Sequence, residues 1–253
     1  MENEDKINEL KNLWDKLATD WEIQVGKDGD NNRRLNSDPV LWEFAGDVKD
    51  LNVLDAGCGS GYLSNKLWEK GANVTGVDIS EKMIEIAQKN NPQIQFHTYS
   101  ISDLSNIQSD QFDIVISNYV LMDTPELQKA LDEFYRVLKQ KGNAIAIFSH
   151  PCFNQAKTEV SETNDNVTYF WEFPYFTASK RTDPPWAHFK ESFIWFHRPL
   201  SDYWKAFRKA GFNVVDFEEP RIAPERYHLA KTPKGLKNSQ LRPYSVAFKL
   251  EKP

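Results

Sequence analysis

One stretch restricts what this chain can fold into more than any other. Residues 52–78 read NVLDAGCGSGYLSNKLWEKGANVTGVD. An apolar run (Val53, Leu54) empties into a turn carrying Gly57, Gly59 and Gly61. A helical segment from Tyr62 follows and stops at Gly71, and a second apolar run ends on Asp78. This is a βαβ unit, whose turn and strand ends lie along one edge of a parallel sheet. Glycine in such a turn takes backbone angles denied to other residues and lets a ligand approach the main chain. Asp78, 21 positions after Gly57, stands where a carboxylate accepts hydrogen bonds from the two hydroxyls of a ribose. The unit predicts an α/β fold with a nucleoside-like ligand at the carboxyl ends of its strands.

Which nucleoside follows from the glycine spacing. The dinucleotide pattern G-x-G-x-x-G requires a glycine where this chain has Tyr62. Here the third glycine comes one position early, and Asp55 stands two before the first. The string D-A-G-C-G-S-G, continued in register by VTGVDIS-x-x-M-I-x-x-A, resembles the first and second motifs of the class I S-adenosylmethionine-dependent methyltransferases of small-molecule type. The resemblance covers roughly residues 30–150 and extends more loosely to the C-terminus. It implies S-adenosyl-L-methionine as cofactor, S-adenosyl-L-homocysteine as product, and a cofactor site including Asp55, Gly57 and Gly59. Asp78 would hold the ribose and Ile79 would press on the adenine ring, with Met83 as a further contact or core residue. The family's acidic residue for the adenine amino group is replaced by Ser100, so backbone groups around Ile101 are expected to read the adenine edge. Asn118, at the end of the strand 112–117, is expected above the sulfonium. Arg33 and Arg34 precede the turn. In the ubiquinone-biosynthesis O-methyltransferases an arginine roughly 20 residues before the glycine turn reaches the cofactor carboxylate, and Arg34 lies 23 before Gly57. A solvated surface arginine is the other reading.

The resemblance and the patterning together predict a Rossmann-like, seven-stranded, mostly parallel sheet with helices on both faces. Its last strand is antiparallel between the fifth and sixth, and a cap is inserted after the fifth. Residues 1–50 form an N-terminal helical segment covering the cofactor site, and 51–150 the cofactor-binding core. Residues 151–200 form an aromatic-rich substrate cap, and 201–253 the C-terminal part of the sheet. Residues 3–23 read as a helix with Ile7, Leu10, Leu13, Trp14, Leu17 and Trp21 on one face. That face packs on the sheet edge, or Trp14 or Trp21 helps to lid the cofactor. Residues 26–38 read as a loop. Ser80 is the N-cap of a helix buried through Met83, Ile84 and Ala87. The helix 125–139 is capped by Asp123 or Thr124, with a substrate contact from Asp123 as the second reading. Runs 167–173 and 192–197 read as strands of a small hairpin or sheet extension.

Composition narrows the partners. A net charge of −6 offers no general attraction to polyphosphate, so no nucleic acid is expected. Two cysteines make neither a disulfide framework nor a zinc signature, and no metal is expected. No apolar run approaches about 20 residues, and 1–5 do not resemble a signal peptide, which predicts a soluble cytoplasmic protein, monomer or homodimer, off the membrane.

The chemistry expected is methyl transfer to an oxygen, nitrogen or carbon of a small, apolar or aromatic acceptor. Of the five histidines, His150 is the candidate catalytic base at the end of the fifth strand, against a structural role for the same ring. His197, Tyr119, Trp171 and Trp195 are candidate substrate contacts, though cap aromatics also serve as the cap's own core. Asp183-Pro184-Pro185-Trp186 is similar to an amino-methyltransferase motif but lies far downstream of that motif's place after the fourth strand. The alternatives are a methyltransferase acting on tRNA or protein, and a non-catalytic cofactor-binding protein. A nicotinamide dehydrogenase is disfavoured by Tyr62.

Overall fold

The computed structural model describes residues 2–153 and 155–253. Its frame is a seven-stranded sheet. The strands are β1 (Asn52–Ala56), β2 (Asn73–Asp78), β3 (Gln95–Thr98), β4 (Phe112–Asn118), β5 (Leu138–Ser149), β10 (Asn213–Glu218) and β11 (Ser245–Glu251), in the order β10-β11-β5-β4-β1-β2-β3. Every pairing is parallel except those of β11, which runs antiparallel between β5 and β10. β4 is nearly continuously apolar because it lies in mid-sheet and both its faces are buried.

Helices cover each face. On one side α5 (Leu127–Val137) and α6 (Leu200–Ala210) pack against β4, β5 and β11. The buried residues of α5 (Leu127, Ala130, Leu131, Phe134 and Val137) recur three and four apart, as one helix face requires. On the other side α2 (Asp38–Ala45), α3 (Tyr62–Glu69) and α4 (Glu81–Asn90) enclose a second core with Leu41, Leu67, Ile116 and Ile147. Ser80 caps α4, its Oγ accepting from Met83 N–H at 3.1 Å, and Met83, Ile84 and Ala87 are buried, as predicted. The long helix α1 (Glu2–Val25) lies across α4. Asp15 Oδ1 there accepts from Ser80 Oγ and the Lys82 N–H. No helix of the described residues is long and apolar enough to cross a membrane.

Several elements differ from the sequence reading. Residues 33–37, expected in a loop, form a π-helical turn that runs directly into α2. Neither Asp123 nor Thr124 is the N-cap of α5. That position is Glu126, and Thr124 Oγ1 accepts its N–H at 3.3 Å. α5 ends at Val137 and β5 begins at once, passing Lys141-Gly142 within the strand rather than before it. In the cap, both predicted runs are strands but do not pair with each other. β7 (Val167–Phe170) pairs with β6 (Lys157–Val160), and β9 (Phe193–His197) with β8 (Ser179–Asp183). β8 reads SKRTD, with no apolar alternation to betray it. Between β10 and β11, α7 (Pro233–Leu241) also went unread: Gly235, Asn238 and Ser239 are weak helix formers, although Thr232 caps it and Pro233 opens it.

Candidate functional site

The glycine turn after β1 is built by close packing. A Cβ on Gly57 would lie 2.3 Å from Val120 Cγ2, and one on Gly61 2.7 Å from Asn91 Nδ2; both have positive φ. Gly59 differs: nothing stands closer to its missing side chain than Trp21 at 3.5 Å, so its bare main chain faces open space. That space is a cavity of about 100 Å³ bordered by Asp55, Gly57, Gly59, Asp78, Ile79, Met83, Ser100, Ile101 and Asn118. Its roof is Trp14 and Trp21 of α1.

Polar groups converge on this cavity. Asp78 Oδ2 accepts the Gly59 N–H and Oδ1 the Ser80 N–H, both at 2.9 Å. Burial outweighs those bonds and pushes the Asp78 carboxyl up to about 6. Asp55 takes a 2.6 Å bond from Ser64 Oγ and is likewise raised to about 6, by burial first and by Asp78 as well. Asn118 Oδ1 is buried with no hydrogen-bond partner among the described residues. A donor or cation within the cavity would relieve that orphaned acceptor and the crowding of carboxyl groups.

A second cavity of about 510 Å³ adjoins the first. Trp14, Trp21, Tyr119, Trp186, Phe193 and Trp195 give it aromatic walls, and the α7 segment closes its far side with Lys231, Thr232 and Gly235. Arg33, Trp14, Trp21, Tyr119 and Asp123 border both cavities. Arg33 is buried, donates to Asp30 Oδ2 at 2.9 Å, and lies 5.2 Å from the Trp21 ring centre and 5.7 Å from that of Tyr119.

Residues 47–191, more than half of the chain, match a family described as methyltransferase domains. The chain belongs to that family. Among solved structures this methyltransferase domain is similar to an S-adenosylmethionine-dependent methyltransferase from Listeria monocytogenes, with TM-score 0.70 and 28% identity, over 85% of this chain and 96% of the other. It also shares its fold with one from Mesorhizobium loti, with TM-score 0.73 and 20% identity, over 89% of this chain and 100% of the other. A ubiquinone biosynthesis O-methyltransferase from Bordetella avium (strain 197N) is 34% identical over 90 residues, 34% of this chain and 37% of that protein. A malonyl-[acyl-carrier protein] O-methyltransferase from Hamiltonella defensa is 33% identical over 111 residues, 43% of this chain and 41% of that protein. The chain thus spans about two fifths of the length of either curated relative.

The sequence-derived residues divide between these cavities and elsewhere in the methyltransferase domain. Asp55, Gly57, Gly59, Asp78, Ile79, Ile101 and Asn118 all border the first cavity. Arg34 does not. Its side chain turns back to Asn31 Oδ1 at 3.2 Å, and its neighbour Arg33 faces the cavities instead. The π-helical turn sets that choice, because only one of two adjacent helical residues can point inward.

His150 also lies elsewhere. It is 2% exposed and borders neither cavity. Its Nδ1 accepts the Cys152 N–H at 3.1 Å, so Nε2 carries the proton and donates to Glu219 at 2.9 Å. Burial holds its pKa below the usual histidine value. This neutral ring ties the end of β5 to the chain beyond β10. His197 is fully buried, its two nitrogens facing Gln155 Oε1 and the Tyr175 carbonyl, and its pKa is lowered mainly by burial. A neutral ring fits when the Gln155 amide turns its NH2 to Nδ1, which also satisfies Gln155 Nε2, otherwise unpartnered among the described residues. Trp171 packs on Phe173, Tyr175 and His197 in the cap's own cluster. Tyr119 and Trp195 are the two candidate substrate contacts that reach the second cavity. Asp183, set aside with its motif, borders it too.

Proposed function

We propose that this chain transfers a methyl group from S-adenosylmethionine to a small, apolar or aromatic acceptor. One observation carries the reading: the cleft over the glycine turn, edged by the Asp78 carboxyl, adjoins a larger aromatic-walled cavity. Asp78 would accept both ribose hydroxyls on lone pairs left free by the Gly59 and Ser80 N–H groups. Ile79 and Met83 would flank the base, with Ser100 and Ile101 at its edge. Arg33, whose fork suits a carboxylate, would take the amino-acid end. Asn118 Oδ1 and the carboxyl groups of Asp55, Asp78 and Asp123 favour a cation where the sulfonium would sit. When bound, the cofactor supplies an already activated methyl group. The chain's own share is then to align the acceptor and exclude water. Trp14 and Trp21 close the site over both ligands, while Trp186, Phe193 and Trp195 offer flat apolar surface to the acceptor.

The test is a fractionated metabolite extract incubated with the protein and S-adenosylmethionine, read as S-adenosylhomocysteine released. Release that depends on a small-molecule fraction supports the reading. Release with bulk tRNA or protein alone moves the acceptor to a macromolecule. Tight cofactor binding with no release from any fraction makes the chain a binding protein.

A further inference from the structure

We propose that Asp123 is the proton acceptor of the transfer reaction, its carboxyl placed where a methyl group in the first cavity meets an acceptor in the second. The inference rests on the functional reading above. It starts from elimination among the five residues that border both cavities. Trp14 and Trp21 do not titrate. Arg33 offers donors only and is paired with Asp30. The Tyr119 hydroxyl is bonded to Ser245 Oγ at 2.8 Å, and burial holds its pKa well above the usual phenol value. Asp123 is the remaining group, and it is chemically free to act. Its main-chain N–H is fixed to the Val120 carbonyl at 2.8 Å. Among the described residues its carboxyl makes no hydrogen bond or ion pair.

The surroundings suit the role. Arg198, on the loop after β9, gives its guanidinium to the carbonyls of Leu121 and Thr124 and so acts on Asp123 only at a distance. Asp78 from β2 opposes it, and Tyr203 of α6 feels the Asp123 charge in turn. With the site empty, burial and Asp78 hold the Asp123 carboxyl well above the ordinary carboxylate range. A sulfonium alongside reverses that balance, because a nearby positive charge favours the ionised form. Cofactor binding thus sheds the Asp123 proton to solvent and leaves a carboxylate beside the methyl group. An acceptor O–H, N–H or acidic C–H then gives its proton to an Asp123 oxygen as its electron pair bonds the methyl carbon. The carbon–sulfur bond breaks with its electrons remaining on sulfur, and the carboxylic acid keeps that proton until the next sulfonium binds and sends it to solvent. Neutral S-adenosylhomocysteine carries no such charge and leaves Asp123 protonated.

Calorimetry of the two ligands in buffers of different ionisation enthalpy at pH 7 tests this without an acceptor. S-Adenosylmethionine should release a proton on binding to the wild type and S-adenosylhomocysteine should not, and Asp123→Asn should abolish the difference while binding S-adenosylhomocysteine within about threefold of wild type. With the extract fraction that supports turnover, Asp123→Asn should lose at least about 100-fold in rate, as expected for a missing general base. Equal proton release by the two ligands on the wild type overturns the proposal even when the variant does not fold. Turnover by the variant within tenfold of wild type overturns it too. Failure of both ligands to bind the wild type removes the functional reading itself, and the proposal with it.

Discussion

Asp78 and Gly57 show two ways in which a single residue can matter to one site. Asp78 is held by the main chain on both oxygens and faces the cavity, so its loss should weaken ligand binding rather than folding. Asp78→Ala is expected to cost on the order of 1–3 kcal/mol in S-adenosylhomocysteine affinity by calorimetry, the worth of charge-assisted hydrogen bonds. Unchanged affinity would remove it from the site. Gly57 borders the same cavity, yet its missing side chain points at Val120, not at a ligand. At φ +87 and with 2.3 Å to Val120 Cγ2, an alanine is both strained and overpacked. Gly57→Ala should therefore lower the unfolding free energy by about 2 kcal/mol or more. Val120→Ala in the same chain should restore part of that, and no restoration would place the strain in the backbone alone. The sequence marks both residues but does not say which serves the ligand and which the packing.

The elements that line the second cavity were the hardest to read. α1 was legible from its apolar period, and it packs on α4. Asp15 and Glu22 fasten it to α4 while Trp14 and Trp21 roof both cavities. Trp21 also packs edge-on to Trp14 at 5.3 Å and meets Phe189 at 6.1 Å, so one ring links α1 to the segment before β9. Trp21→Ala should speed release of S-adenosylhomocysteine about tenfold in a stopped-flow displacement experiment, with the α1–α4 bonds intact. An unchanged rate would make α1 a fixed wall. β8 and α7 escaped notice because their stability comes from partners: β8 is a polar strand paired to β9, and α7 is a weak helix capped by Thr232. Local propensity carries no trace of a neighbour far along the chain.

At the scale of the whole molecule, the sheet concentrates carboxyl groups where its strands end, at a cost in stability. Asp55 is 2% exposed and raised from 3.8 to about 6, chiefly by burial. Between those values the folded chain keeps a proton that the unfolded chain has lost. The contribution of Asp55 to stability is thus fully present below pH 3.8 and is lost as the pH rises through about 6. The shift corresponds to about 3 kcal/mol. Asp78 adds in the same direction. Urea unfolding of the ligand-free protein should show this loss from pH 4 to 6.5 as a difference from Asp55→Asn, in which that part of the slope should vanish. A parallel profile in the variant would mean that Asp55 ionises alike in both states.

What the sequence determined alone was whatever local chemistry encodes. Apolar runs, the glycine turn, the Ser80 cap and the acid ending β2 dictated the βαβ core, and with it the cofactor class and part of the first cavity's lining. Tertiary structure decided the rest. It chose Arg33 over Arg34, withdrew His150 into a clamp with Glu219, brought α7 to the far wall, and left the Asp123 carboxyl with no hydrogen bond among the described residues at the junction of two cavities. Each of those outcomes depends on which side of an element faces inward and on what lies across the gap, and both are settled by contacts between segments distant in the chain.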